Sequence, residues 1–139
     1  MSGQLEGRVA VITGAGDGIG AGLARVFARE GASVVIGEIN PETGQAVADE
    51  LGDRGSFIRT DVGDRTQCEA MVEHAVDRFG RLDILVNNAW GGGEISRVER
   101  KTEALMTGGL QVGFLGPFWT MIAAHRHMQP AGYGRIINM

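Results

Sequence analysis

The sequence predicts an α/β fold, a doubly wound parallel sheet of about five strands with flanking helices. Short apolar runs alternate along the chain with segments of helical periodicity. The runs are apolar at consecutive positions, as in strands that are covered on both faces. The 23 glycines gather in clusters between these segments, where turns or close backbone approaches are expected. Such alternation implies right-handed crossovers between parallel strands.

The predicted strands are the apolar runs themselves. Four of them are clear, and the run at 57–58 is weaker. They cover residues 9–12, 34–36, 57–58, 84–86 and 136–137. With the intervening helices they give the order β-α-β-α-β-α-β-α-β, which continues without an internal repeat or a domain boundary. We therefore expect residues 1–139 to form one domain.

The predicted helices fill the segments between the runs. They cover residues 19–30, 41–51, 65–79 and 102–128. Asn40 is a favourable N-cap and Pro41 suits the first helical position. In the third helix, apolar residues recur at three- and four-residue spacing between Asp64, a suitable N-cap, and Gly80, a suitable end. Four glycines and Pro117 interrupt the fourth helix, which predicts a kink or a break there.

Composition and charge exclude several functions. The formal net charge of -4 includes no basic stripe, so nucleic acid is not an expected partner. No apolar run approaches the roughly 20 residues that span a bilayer, so no membrane partner is expected. A single cysteine, Cys68, fits a reducing, cytoplasmic location and a packed core position. His125 and His127 are two apart on a helix and do not face each other, so no metal site is predicted.

A glycine-rich turn joins the first strand to the first helix. Residues 13–20 read TGAGDGIG, and Gly16, Gly18 and Ala21 also satisfy a looser G-x-G-x-x-G/A pattern. A strand-to-helix turn without side chains lets backbone N–H groups approach a pyrophosphate. The helix N-terminus behind them carries partial positive charge. The turn therefore predicts a dinucleotide site.

An acidic residue stands where a dinucleotide site needs one. Glu38 lies 18 residues after Gly20, at the end of the second predicted strand. A carboxylate there accepts hydrogen bonds from the adenosine ribose hydroxyls and repels a 2'-phosphate. Asp17 adds negative charge, and neither Arg nor Lys occurs in the turn or at positions 37–41. The sequence predicts NAD rather than NADP, although Glu38 is alternatively a solvated loop carboxylate.

These motifs together resemble the short-chain dehydrogenase/reductase family. The turn is similar to the family's TGxxxGxG pattern, Asn87-Asn88-Ala89 to its NNAG motif, and residues 134–138 to the strand before its catalytic serine. The resemblance implies a Rossmann-type, NAD(P)-binding domain that moves hydride between NAD(H) and a small-molecule alcohol or carbonyl substrate. The cofactor-binding residues that it implies are Thr13, Gly14, Asp17, Gly18, Ile19, Gly20, Glu38, Asp61, Val62, Asn88 and Ala89.

Read from position alone, some of these residues admit a second interpretation. Asp61 follows a strand at the ligand-binding edge of the sheet, where it suits the adenine amine, but it equally suits a helix cap. Asn87 and Asn88 are short polar residues of the kind that fix a turn. The resemblance, rather than the spacing, places Asn88 near the cofactor.

Three positions depart from the family pattern. Trp90 stands where NNAG has glycine, so it narrows the cofactor cleft, walls the substrate site, or packs locally in a surface loop. Gly113 occupies the position of the family's relay asparagine. The family's Tyr-x-x-x-Lys pair does not occur, because Tyr133 is followed four residues later by Ile137 and the single lysine is Lys101.

We accordingly expect no catalytic residue within these 139 residues and no more than trace turnover. The chain is interpreted as an N-terminal portion, truncated at its C-terminus, whose last strand is an unprotected edge. Such an edge favours association with a second copy of the chain, so a homo-oligomer is expected. The alternative is a non-catalytic NAD-binding or interaction module.

Overall fold

The computed structural model describes residues 3–91, 93 and 95–139. The five strands are β1 (Val9–Thr13), β2 (Ser33–Glu38), β3 (Gly55–Arg59), β4 (Ile84–Asn87) and β5 (Arg135–Asn138). The helices are α1 (Gly18–Arg29), α2 (Pro41–Leu51), α3 (Arg65–Phe79), α4 (Glu103–Leu110) and α5 (Gly116–Ala131). Short 3₁₀ turns occupy Gly52–Arg54 and Val98–Arg100.

The strands form one sheet in the order β3-β2-β1-β4-β5, and every pair is parallel. The predicted doubly wound α/β fold is therefore confirmed. The chain builds β1, β2 and β3 outward in one direction and then returns to place β4 on the other side of β1. This reversal leaves a crevice at the carboxyl ends of β1 and β4, where open α/β sheets bind ligands.

Two apolar layers cover the sheet. On one face, α1 and α2 pack small residues such as Ala24 and Ala48 against alternate residues of the central strands. On the other face, α3 and α5 pack Met71, Val72 and Ala124 against the remaining residues of those strands. Because β1, β2 and β4 are covered on both faces, their sequences are apolar at consecutive positions.

Polar side chains cap the N-termini of the helices that follow β1, β2 and β3. Asn40 accepts hydrogen bonds from the N–H groups of Glu42 and Thr43, and Asp64 accepts one from Gln67, as the sequence predicts. α1 begins one residue earlier than expected, because Asp17 accepts a 2.7 Å hydrogen bond from the Gly18 N–H. These acceptors satisfy N–H groups that a helix start otherwise leaves unpaired.

The predicted interruption of the fourth helix is a π-helical turn rather than a break. Gln111–Leu115 joins α4 to α5 with widened helical turns, and the helical course continues to Ala131. Pro117 supplies the physical reason, because it has no N–H to donate to the preceding turn. Its position near the start of α5 is one where the missing donor is tolerated.

A charged cluster fixes β1 and β4 at their amino ends. Asp83, although 1% exposed, accepts hydrogen bonds from the Val9 N–H (2.9 Å) and from the guanidinium groups of Arg8 (3.0 Å) and Arg81 (2.7 Å). Burial alone raises the pKa of Asp83, but these donors outweigh burial and hold the pKa below its usual value. The Arg8 guanidinium also stacks on the Tyr133 ring at 4.0 Å.

The last strand is an exposed edge. All four residues of β5 are exposed, including Ile136 (39%) and Ile137 (44%). Its inner edge pairs with β4, and Asn138 accepts a hydrogen bond from Asn87 at 2.8 Å. Asn87 in turn accepts a 2.6 Å hydrogen bond from the buried hydroxyl of Thr120 on α5.

Candidate functional site

A cavity of about 610 Å³ lies at the carboxyl ends of the four strands β1 to β4. Its volume falls within the usual range of small-molecule sites. The lining residues come from the loops that follow those strands and from the π-helical turn. They are Gly14, Asp17, Gly18, Ile19, Glu38, Ile39, Thr60, Asp61, Val62, Asn88, Ala89, Trp90, Gly91 and Val112. The cavity therefore lies in the crevice between β1 and β4.

The glycine turn between β1 and α1 is built for close backbone approach. Gly18 has a φ of +55°, which L side chains rarely adopt. At Gly20 a Cβ atom would lie 2.3 Å from the Gly14 carbonyl oxygen. The Asp17 side chain accepts the Gly18 N–H and the Asp17 carbonyl accepts that of Ala21. Among the described residues, no acceptor is paired with the N–H groups of Ile19 and Gly20, so this helix start retains donors for an anion.

Thr13 and Asn88 lock the turn to the end of β4. The Thr13 hydroxyl oxygen accepts hydrogen bonds from the backbone N–H groups of Asn88 and Ala89, each at 3.0 Å. The Asn88 amide nitrogen donates to the carbonyl oxygens of Thr13 (2.9 Å) and Gly14 (3.1 Å). The structural interpretation of Asn88 is therefore supported, and the same residue also lines the cavity.

Glu38 lies at the end of β2 and faces the turn. One carboxylate oxygen accepts a hydrogen bond from the Gly16 N–H at 3.0 Å, and the other accepts from the N–H groups of Ile39 (2.8 Å) and Asn40 (3.1 Å). A carboxylate offers about four acceptor positions. Since three are taken by the backbone, Glu38 is a fixed, half-buried anion with capacity for a further donor, rather than a freely solvated loop carboxylate.

Asp61 marks the end of β3. Its carboxylate accepts the Gly63 N–H at 2.8 Å, whereas the cap of α3 is Asp64. Of the two interpretations open from its position, the helix cap is therefore wrong. The N–H of Asp61 donates to the Gln67 side chain at 2.9 Å, which holds the residue at the cavity. The adjacent Val62 is buried and supplies apolar wall.

Trp90 presents its indole to solvent at the mouth of the cavity. The side chain is 81% exposed, so local packing in a surface loop is not what the structure shows. It shares the lining with two further exposed apolar side chains, Ile19 (66%) and Ile39 (51%). Its neighbour Gly91 lies against Val112, where an added Cβ would approach to 2.7 Å.

Nine of the eleven expected cofactor residues line this cavity. The other two, Thr13 and Gly20, lie beneath it and hold the turn in place. Sequence reasoning missed three lining residues, Ile39, Thr60 and Val112. Ile39 and Thr60 directly follow the observed ends of β2 and β3, which extend one or two residues beyond the predicted runs 34–36 and 57–58. Val112 had no local signal, because the π-helical turn that carries it brings together segments distant in sequence.

Two ionisable side chains outside the cavity are held within the fold. Cys68 is buried, and burial raises the pKa of its thiol to about 12, which confirms its assignment to the core. His74 pairs with the Ser56 hydroxyl at 2.7 Å, and burial lowers its pKa. Within residues 3–91, 93 and 95–139, no three His, Cys, Asp or Glu side chains are grouped to hold a metal ion. In the same residues, no helix has the length and apolarity that crossing a membrane requires.

Comparison with known proteins places this geometry in a family context. The family model for short chain dehydrogenase matches residues 8–139. Momilactone A synthase from Oryza sativa subsp. japonica is 42% identical, over 97% of this chain and 50% of its own length. A 3-alpha-(or 20-beta)-hydroxysteroid dehydrogenase from Mycobacterium bovis is 41% identical, over all of this chain and 53% of its own. The chain thus spans about half the length of these curated relatives.

A solved structure agrees with the sequence relatives. The crystal structure of 3-ketoacyl-(acyl-carrier-protein) reductase from Brucella melitensis complexed with NADH superposes with a TM-score of 0.90 at 36% identity. The match covers 93% of this chain and 53% of that one. On the family match, the relatives and this structural agreement, the chain belongs to the short-chain dehydrogenase family of oxidoreductases, whose members bind a nicotinamide cofactor.

Proposed function

We propose that residues 1–139 act as the NAD(H)-binding domain of an oxidoreductase that moves hydride to or from an alcohol or carbonyl substrate. The observation that carries the proposal is Glu38. Its carboxylate lines the cavity opposite the glycine turn and is fixed there by the Gly16 N–H at 3.0 Å. A fixed carboxylate at the end of β2, beside a turn that keeps N–H donors for an anion, is the arrangement that a ribose linked to a pyrophosphate requires.

The parts of the dinucleotide fit successive parts of the cavity. The pyrophosphate suits the turn at Gly14–Gly20, where the Ile19 and Gly20 N–H groups point from a helix start. The adenosine ribose suits Glu38, and the adenine ring suits the pocket beside Asp61 and Val62, whose carboxylate and apolar wall complement an amine-bearing ring. Ten of the eleven residues expected from the sequence are the contacts that we propose, and Thr13 contributes to binding by holding the turn.

Charge favours NAD over NADP in this cavity. Glu38 and Asp17 both line it, and none of the described lining residues is Lys or Arg. A 2'-phosphate placed on the ribose would meet the Glu38 carboxylate without a compensating cation. Like-charge contacts of this kind disfavour the wrong ligand strongly. We therefore expect NAD to bind at least tenfold more tightly than NADP.

Calorimetric titration with both dinucleotides tests the proposal. Glu38→Gln keeps the size of the side chain but removes its charge, so NAD affinity should fall about tenfold while NADP affinity rises, because one charge-assisted hydrogen bond and one repulsion are lost. Glu42→Gln is the matched control, since Glu42 is an exposed carboxylate that does not line the cavity. Equal or tighter binding of NADP by the parent chain would contradict the preference, and no heat with either dinucleotide would contradict the whole proposal.

Turnover is proposed to require groups that residues 1–139 do not supply. The family's Tyr-x-x-x-Lys pair is absent from this segment, so NADH formation by the isolated segment with a panel of secondary alcohols should stay at background. Turnover above background would refute this expectation. The relatives' names, a hydroxysteroid dehydrogenase and a ketoacyl reductase, support an alcohol or carbonyl substrate. A reducing, cytoplasmic location remains a prediction from the single cysteine.

A second candidate is a non-catalytic NAD-binding module that completes its sheet against another chain. The exposed edge strand β5 favours it, because an unpaired strand presents N–H and C=O groups to a partner. The same edge supports a homo-oligomer. Both candidates bind NAD, and they differ in whether a longer chain that includes these residues oxidises an alcohol.

A further inference from the structure

The side chain of Trp90 is held at the cavity by a backbone that is fixed on both sides. On one side the N–H of Ala89 donates to the Thr13 hydroxyl at 3.0 Å, beside the glycine turn. On the other side Gly91 lies against Val112, so closely that a Cβ atom would approach within 2.7 Å. The backbone position of Trp90 is therefore set by the fold.

The indole itself has little to pack against. It is 81% exposed, and within the described part of the chain no ring stacking or cation–π contact includes it. Trp119, in contrast, is half-buried, contacts Phe118 edge-on and lies under the Arg65 guanidinium at 4.7 Å. A solvated indole gains much of the free energy of burial when a flat ligand covers it. Among the described lining residues, Trp90 is also the single aromatic ring.

Neighbouring contacts indicate which half of the proposed dinucleotide would lie beside this ring. Gly91 touches Val112, Val112 lies 3.8 Å from the Cβ position of Gly63, and the Gly63 N–H binds Asp61. The loop that carries Trp90 thus runs from the glycine turn toward Asp61. This is the end of the cavity that the proposed function assigns to adenine.

We propose that Trp90 is an aromatic cover for the adenosine half of the bound dinucleotide. Its indole packs on the adenine ring system from the solvent side, while Ile39 and Val62 form the apolar walls below. The inference rests on the proposed dinucleotide site and goes beyond it by assigning an adenine-binding role to a residue that replaces a glycine of the family pattern. Base–aromatic stacking of this kind changes affinity by about tenfold per ring.

Fluorescence of a single tryptophan tests the contact directly. The chain has two tryptophans, so Trp119→Phe leaves Trp90 as the reporter. Adenosine monophosphate and NAD should both quench and shift the Trp90 emission, because a stacked purine replaces water on the ring. Nicotinamide mononucleotide should leave the emission unchanged. Quenching by nicotinamide mononucleotide but not by adenosine monophosphate would overturn the assignment to the adenosine half.

Affinity measurements on the full 139-residue chain supply the second readout. Trp90→Ala should weaken ADP-ribose binding about tenfold, Trp90→Phe about twofold because a ring face remains, and Trp119→Phe not at all. Equal affinity of the parent and Trp90→Ala, with both binding NAD, would refute the cover and leave the proposed function standing. If the parent binds none of these nucleotides, the proposed function is refuted and the cover with it.

Discussion

Two glycines on α1 should respond to alanine in opposite directions, although they lie two residues apart. Gly20 faces the glycine turn, where an added Cβ would lie 2.3 Å from the Gly14 carbonyl oxygen and 2.5 Å from the Asn88 amide nitrogen. At Gly22 a Cβ would meet nothing within 4 Å. The pair therefore separates the general effect of alanine in a helix from the specific close approach at the turn.

The magnitudes follow from these contacts. Alanine in place of glycine within a helix gains about 1 kcal/mol, which is the full effect expected for Gly22→Ala. At Gly20 that gain is outweighed by overpacking of about 2 kcal/mol and by loss of two Asn88 hydrogen bonds of about 1 kcal/mol each. The net loss for Gly20→Ala is about 3 kcal/mol. In a chain of this length these changes correspond to a melting temperature about 3 °C higher for Gly22→Ala and about 10 °C lower for Gly20→Ala.

Urea unfolding followed by far-ultraviolet circular dichroism measures both stabilities, and calorimetry measures NAD binding on the same samples. Gly22→Ala should bind as the parent does, whereas Gly20→Ala should lose most of its affinity, because the turn must move away from the N–H geometry that we propose for pyrophosphate binding. Equal stability and equal affinity of the two variants would refute the argument that Gly20 is required by close approach.

Three further perturbations probe contacts away from the turn. Asp83→Asn should lower the free energy of unfolding by about 2 kcal/mol at pH 7, since the buried Val9 N–H loses a charged acceptor. Because the pKa of Asp83 is lower in the native state than in the unfolded state, the stabilisation by this carboxylate is complete above about pH 5 and is lost as the pH falls through the native pKa. The difference in urea midpoint between the parent and Asp83→Asn should therefore disappear in acid. A difference that stays constant with pH would argue against this reasoning. Thr120→Val should cost about 1 to 2 kcal/mol by leaving the Asn87 oxygen without its donor at 2.6 Å, and a thermal melt at or above the parent's would contradict this. Ile137→Lys should reduce self-association in sedimentation velocity, because it places a charge on the exposed edge strand. A parent chain that sediments as a monomer would contradict this prediction.

Much of the fold was predictable because local chemistry and the global topology agree. Consecutive apolar residues identify strands with two covered faces. Asn40 and Asp64 cap the starts of α2 and α3, and Gly80 ends α3. The parallel order follows from the alternation of strands and helices. The π-helical turn was not predictable in form, because Pro117 dictates only that a hydrogen bond is missing and the surrounding packing decides how the helix accommodates it.

The candidate site was predictable where a residue's role depends only on its position in its own strand or turn. The glycine turn and Glu38 are local features of a strand end, and both line the cavity. The hydrogen-bond partners of Asn88 were visible only in three dimensions, because its amide bridges two segments that lie about 75 positions apart. The exposure of Trp90 was equally hidden, since the sequence cannot tell an indole that packs on its own loop from one that faces an open cavity.

Side-chain hydrogen bonds join the central strands β1 and β4 at both of their ends, which should limit local opening between them. Asp83 ties β4 to the start of β1, and the Thr13–Asn88 contacts tie the opposite ends together. Amide protons of the β1–β4 ladder should therefore exchange with deuterated solvent more slowly than those of the exposed strand β5. The glycine turn directly follows β1, so fluctuations that detach the outer strands should leave this turn folded.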